Sequence, residues 1–255
     1  MAGCGLVTSG EAPVRILGLP VHRVTMEGAV ARVARAIEAG DRCRILVTNA
    51  NKAWLARRDA RLRSILEESE LVVPEWAMVW AARRLGRPGL HHVGGITLMV
   101  RLLAEAERRG WSAFFLGARP AVVDAMVARF RVERPRLRIA GHQHGYLDAA
   151  ADRAVRERLA VLRPDLLFVA MGSPLQEYWI ADAWPEIRTA VALGVGGSFD
   201  VLAGLKRDAP SWARGHGLEW LYRLAQDPLR YGRRYLVTNP WFVAAVMAER
   251  LRGRR

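Results

Sequence analysis

Glu75 stands in the string Val72-Val73-Pro74-Glu75-Trp76, directly after a β-rich apolar run. A carboxylate at a strand end, among apolar neighbours, can take a proton from a substrate hydroxyl as a general base. The same carboxylate could instead open a helix and answer its dipole. Gln176 and Glu177 follow Gly172-Ser173-Pro174. That string also reads as a plain helix start, with Ser173 as cap and Pro174 in the first position. The turn Gly194-Val195-Gly196-Gly197-Ser198 could offer backbone N–H groups to a phosphate, or could simply link a strand to a helix. Its glycines do not complete a dinucleotide fingerprint, because Phe199 stands where the last glycine belongs. No Gly-x-x-x-x-Gly-Lys-Ser/Thr string occurs either.

Metal chemistry has little support. His91-His92 and His142-x-His144 lack a matched set of carboxylate or cysteine ligands. There is no Asp-x-Asp to bridge a divalent cation to a nucleotide diphosphate. No metal and no cofactor are expected, so a phosphate substrate would have its charge met by Arg, Lys and backbone N–H groups.

These residues need elements to place them. Candidate strands are Cys43–Thr48, Leu71–Val73, Ala113–Leu116, Leu137–Ala140, Asp165–Ala170 and Ala190–Leu193. Helical stretches lie at Lys52–Leu66, Glu75–Leu85, Ile96–Arg109, Ala121–Val132, Ala149–Leu162 and Pro174–Asp182. Strands alternating with helices predict an α/β fold, a mainly parallel Rossmann-like sheet covered on both faces. Ligands bind such sheets beyond the carboxyl ends of the strands. Thr48–Asn51, Pro74–Glu75, Leu116-Gly117-Ala118, Met171–Pro174 and Gly194–Ser198 all fall there.

After Ala203 the strand signals stop and the chain reads as helices. Between Gly204 and Arg255 eleven Lys/Arg face four Asp/Glu, which is half of the net charge of +14 in the last fifth of the 255 residues. Trp212, Trp220, Tyr222, Tyr231, Tyr235, Trp241 and Phe242 are interleaved with them. Basic and aromatic residues in this mixture suit an anionic membrane surface or nucleic acid; a solvated basic tail with some core aromatics is the plainer reading. The expected organisation is a core over residues 1–203 and a helical appendage over residues 204–255.

Hydrophobic residues at 51% and charged residues at 25% are a globular composition. Cys4 and Cys43 form no Cys-x-x-Cys pair, which fits a reducing, cytoplasmic setting. No apolar run approaches the ~18 residues of a spanning helix, and residues 1–13 do not read as a signal peptide.

Several strings occur in order: Leu116-Gly117-Ala118-Arg119-Pro120, Gly145-Tyr146, Met171-Gly172-Ser173-Pro174-Leu175-Gln176-Glu177, Gly194 through Gly204, and Gly217-Leu218-Glu219-Trp220-Leu221-Tyr222-Arg223-Leu224. With Ile16-Leu17-Gly18-Leu19-Pro20-Val21 they resemble the WecG/TagA/CpsF glycosyltransferases (glycosyltransferase family 26) over about residues 15 to 240. The resemblance implies transfer of a sugar from a UDP-sugar, with inversion and without a metal. The acceptor would be a saccharide on a polyprenyl-diphosphate carrier, in bacterial cell-surface polysaccharide synthesis. It also implies a peripheral position on the inner face of the cytoplasmic membrane.

Carried onto this chain, the resemblance makes Glu75 the base, where the family has an Asp in Pro-Asp-Gly. Substrate contacts are implied at Thr48, Asn51, Gly117, Gly172, Gln176, Glu177, Gly196, Gly197 and Asp200. For the family's Thr-x-Asn, Asn49 and Asn51 both fit, and Asn51 is preferred. Arg214, Arg223 and Arg230 would hold the acceptor diphosphate, with Arg207 in reserve. Residues 240–252 would lie in the membrane interface with Trp241, Phe242, Val246 and Met247 directed down. Trp76, His92 and Thr97 depart from the family pattern, and the sugar is left open. A homo-oligomer is compatible with the sequence. Competing readings are a basic nucleic-acid-binding protein and a non-catalytic membrane-surface scaffold of the same fold.

Overall fold

The computed structural model describes residues 12–210, 212–213 and 217–253. It opens with an antiparallel hairpin, β1 (Val14–Ile16) and β2 (Leu19–Val21). Leu17 and Gly18 form the two-residue turn, with φ of 50° and 78°. Positive φ at both positions is what a hairpin turn of the right twist requires. Helix α1 (Met26–Ala39) follows, capped by the Thr25 hydroxyl and closed by Gly40 at φ 71°. Neither the hairpin nor α1 is among the elements expected from sequence.

The body then alternates as expected: β3 (Cys43–Thr48), α2 (Ala50–Ala56), α3 (Ala60–Glu68), β4 (Leu71–Pro74), α4 (Trp76–Arg84), α5 (Gly95–Arg109), β5 (Ser112–Gly117), α6 (Pro120–Glu133), β6 (Arg138–Gln143), α7 (Ala149–Leu162), β7 (Leu166–Ala170), α8 (Leu175–Ala183), β8 (Val191–Gly194) and α9 (Ser198–Leu202). The single helix expected over Lys52–Leu66 is two. Asp59 breaks it by capping α3 with its own carboxylate, which accepts from Leu62 N at 2.9 Å. Further on come α10 (Glu219–Gln226) and α11 (Pro228–Arg252).

The sheet order is β4-β3-β8-β7-β5-β6, and every neighbouring pair is parallel. Both faces are covered, so consecutive side chains in one strand enter different cores. Ile45 and Val47 join α1 and α5 on one face, while Leu46 meets α2, α3 and the hairpin on the other. Phe115 and Phe168 stack at 5.7 Å on the first face; Phe114, Leu167 and Val169 pack under α7 and α8 on the second.

The C-terminal segment is part of this packing. Phe242 and Val246 are 2% and 0% exposed and lie in the core formed by the hairpin and α2–α4. Trp241 meets Trp54 edge-on at 5.1 Å, and Phe242 sits 6.3 Å from Trp80. The Glu249 carboxylate accepts from Leu17 N at 3.0 Å and pairs with Arg87. The expectation that Phe242 and Val246 face a membrane is therefore corrected: their side of α11 completes the core of the body. The opposite side of α11 is the exposed one, with Leu229, Leu236, Val237, Val243 and Leu251. Phe242→Ala should cost about 3–5 kcal/mol, read as a lower urea midpoint.

Candidate active site

The carboxyl ends of β4, β3, β8, β7 and β5 lie side by side in that order. Beyond them come Glu75, Asn49, Gly196, Gly172 and Ala118. The ends of β4 and β7 are three strand spacings apart, roughly 14 Å.

Glu75 ends β4 and begins α4. Its backbone N–H donates to Thr48 O at 2.9 Å, which ties it to β3. Its carboxylate makes no capping bond to α4. Instead Glu75 Oε2 accepts from Asn49 Nδ2 at 3.0 Å, while Asn49 Oδ1 accepts from Lys52 N at 3.0 Å. Asn49 thus caps α2 and orients Glu75 in one gesture. Asn49, rather than the preferred Asn51, is the asparagine at the carboxylate. Thr48 is fully buried, and its hydroxyl oxygen has no partner among the described residues. It supports the Glu75 loop through its carbonyl.

The C-terminal segment crosses above this point. Gly217 abuts Trp76, where a Cβ would lie 3.2 Å from the Trp76 Cβ. Trp76 stacks on His92 with centroids 4.9 Å apart, and His92 Nε2 lies 4.0 Å from Glu219 Oε1. Burial lowers the pKa of His92, against the pull of the Glu75 carboxylate. Arg223 Nη2 lies 3.7 Å from Glu219 Oε2. Burial works against the Arg223 charge, but the carboxylates of Glu75 and Glu219, with Tyr235 and Tyr231, hold the guanidinium above its ordinary range. So Arg223, from the appendage, shares an electrostatic field with Glu75, from a strand end. Tyr235 stacks on Tyr231 at 5.7 Å, and Arg234 lies over both rings. The Tyr231 hydroxyl would be 3.9 Å from a Cβ on Gly197.

Gln176 and Glu177 are 3% and 0% exposed. Gln176 Oε1 accepts from Gly172 N at 3.2 Å and from Gly196 N at 2.9 Å. Gln176 therefore binds two glycine turns together, and the Gly196 N–H is already engaged. Ser198 N likewise donates to Val195 O. A phosphate cradle using those two N–H groups would have to break those bonds. Gly117 has φ 136°, and a Cβ there would lie 2.5 Å from the Ala170 carbonyl, so only glycine lets β5 and β7 approach this closely. Asp200 spends its carbonyl on Leu205 N and Lys206 N, each at 3.0 Å. Arg214 lies outside the described residues, and so does the Arg230 side chain. Arg207 is exposed and binds Gln226 only through its backbone.

Lys52 escapes the sequence reading. It is 2% exposed, and its Nζ lies 2.8 Å from Glu177 Oε1. Its signal was a lone lysine on the apolar side of α2, in register with Asn49, Ala53 and Ala56. Among the described residues no three His, Cys, Asp or Glu side chains gather as a metal site. His142 Nε2 lies 3.0 Å from Asp124 Oδ1 instead.

A parallel α/β sheet thus carries a carboxylate at a strand end, within the electrostatic reach of an arginine from a C-terminal helix. The model of the Glycosyl transferase WecG/TagA/CpsF family matches residues 14–255, and the chain belongs to that family of glycosyltransferases. It is 34% identical over 228 residues to an N-acetylglucosaminyldiphosphoundecaprenol N-acetyl-beta-D-mannosaminyltransferase of Staphylococcus aureus (strain MW2), covering 88% of this chain and 89% of the relative. A protein of the same description from Bacillus spizizenii is 32% identical over 204 residues, covering 80% of this chain and 78% of the relative.

Proposed function

We propose that this chain transfers a sugar from a UDP-sugar to a saccharide carried on a polyprenyl diphosphate, in one inverting, metal-independent displacement. The observation that carries the reading is the Glu75 carboxylate, oriented by Asn49 at the strand edge and within the electrostatic reach of Arg223. The relatives' descriptions name a diphosphoundecaprenol-linked acceptor and a β-linked mannosaminyl product, which supports the acceptor class.

In this mechanism Glu75 removes the proton from the acceptor hydroxyl as that oxygen attacks the anomeric carbon. The bond to the UDP oxygen breaks, and charge grows on the leaving diphosphate. The Arg223 guanidinium is suited to the acceptor's own diphosphate, because its fork donates two hydrogen bonds to phosphate oxygens. One displacement with one base gives inverted configuration.

The exposed apolar side of α11 would rest on an anionic membrane surface. Among the described residues no helix is long and apolar enough to cross a membrane. The pair Leu236→Glu and Val237→Glu should weaken sedimentation with anionic vesicles and leave the thermal midpoint unchanged, because both side chains are exposed. The central test is UDP release from a panel of UDP-sugars with a short polyprenyl-diphosphate-linked acceptor. Release should persist in EDTA and should depend on the acceptor.

A further inference from the structure

A continuous set of bonds runs below the strand edge. Asn49 donates to Glu75 and accepts from the Lys52 N–H; the Lys52 ammonium lies 2.8 Å from Glu177 Oε1. Gln176 Nε2 donates to the same Glu177 oxygen at 2.8 Å, and Ser173 Oγ donates to it at 3.1 Å. Gln176 Oε1 then receives the amides of Gly172 and Gly196. One buried ion pair therefore stands between the helix that orients the base and the two glycine turns beside it.

We propose that Lys52 is a positioning residue, which through Glu177 and Gln176 holds the Gly172 and Gly196 turns in register with the Asn49–Glu75 pair. Three observations carry this. First, a buried ion pair has a desolvation cost that its attraction often fails to repay, so stability alone is a poor reason to keep one. Second, Glu177 Oε1 gathers three donors, while Glu177 Oε2 has none among the described residues. The carboxylate is thus oriented by its partners on one edge. Third, the Gln176 amide has both ends committed. Its nitrogen binds Glu177 and its oxygen binds the two turns, so removing the carboxylate frees the amide to rotate. Gly194 fits the same device, since a Cβ there would lie 2.7 Å from Gln176 Nε2.

The inference rests on the glycosyl-transfer reading only for its activity readout. The decisive variant is the double substitution Lys52→Met with Glu177→Leu, which exchanges the pair for apolar side chains. Such replacements commonly keep or raise stability, and a thermal melt and circular dichroism confirm the fold before use. Amide hydrogen exchange at Gly172 and Gly196 should then be faster by on the order of 10-fold, because these two bonds open locally. Turnover should fall on the order of 10²-fold in kcat, the scale of a misplacement of about 1 Å. KM for the acceptor should stay close to the wild-type value. The single variant Lys52→Met should loosen the same two amides and also lower the melting temperature, because the buried Glu177 loses its counter-charge.

A folded double variant with wild-type exchange at both glycines, or with wild-type kcat, would overturn the proposal. If the wild type releases UDP from no donor, the glycosyl-transfer reading falls instead. The exchange rates then decide on their own whether the ion pair holds the turns.

Discussion

Glu75→Ala is expected to lower turnover by about 10²–10⁴-fold, the usual contribution of a positioned base, with the fold intact. The second half of that expectation follows from the local bonding. Glu75 does its structural work through its backbone: its N–H donates to Thr48 O, and its carbonyl receives Met78 N and Val79 N. Its carboxylate caps nothing on α4 and is bound by Asn49 Nδ2. Removing it should leave the strand-to-helix junction standing. Glu75→Gln should be nearly as slow as the alanine variant, because a neutral amide keeps the shape but cannot take the proton. Glu75→Asp should retain part of the rate, since the carboxylate survives one methylene further from Asn49. The measurement is UDP release at saturating donor and acceptor, in EDTA, alongside a thermal melt. An alanine variant as fast as wild type would remove Glu75 from the chemistry. Attention would then pass to Glu219, which lies 4.0 Å from His92 across the same site.

The strands were legible because parallel strands buried on both faces leave continuous apolar runs such as Cys43–Thr48 and Leu166–Ala170. The hairpin was not. Its strands have three residues each, Leu17 occupies a turn position usually held by Asn or Gly, and Pro20 interrupts the second strand. In the site, the kind of residue at each strand end could be read, but its partner could not. Asn49 and Asn51 are two residues apart, and only the start of α2 decides that Asn49 caps the helix and reaches Glu75. Gln176 and Glu177 were visible as polar residues at a helix start, yet their burial depends on Lys52, which lies more than a hundred residues away in the chain. The C-terminal helix shows the same limit. Aromatic and aliphatic residues occur all round α11, so composition identifies an amphipathic-looking segment without saying which side is covered. The body covers the Phe242 and Val246 side and leaves Leu236, Val237 and Val243 outside.

Arg223→Ala should produce the other large loss, and a different kinetic pattern. Arg223 is the described arginine of the appendage whose charge is held by Glu75 and Glu219 together. Charge-assisted hydrogen bonds contribute about 1.5–3 kcal/mol each, so losing a contact to the acceptor diphosphate should cost about 10–10²-fold in kcat/KM. On the proposal that the group recognises phosphate, much of that loss should appear in KM for the acceptor, whereas the Glu75 variants should lose kcat. Arg223→Lys should fall between wild type and alanine, since an ammonium keeps the charge but not the two-pronged donor. Stability should change little: the neighbouring ring contacts of Trp220 and Tyr235, 5.8 Å apart, do not pass through the guanidinium. Removing Arg223 also takes away the cation whose charge Glu75 and Glu219 both favour, so part of the effect should persist with a truncated acceptor that lacks the diphosphate. If Arg223→Ala leaves acceptor KM unchanged and lowers kcat alone, the arginine serves the base rather than the phosphate. Equal loss with the full and the truncated acceptor would say the same thing from the substrate side.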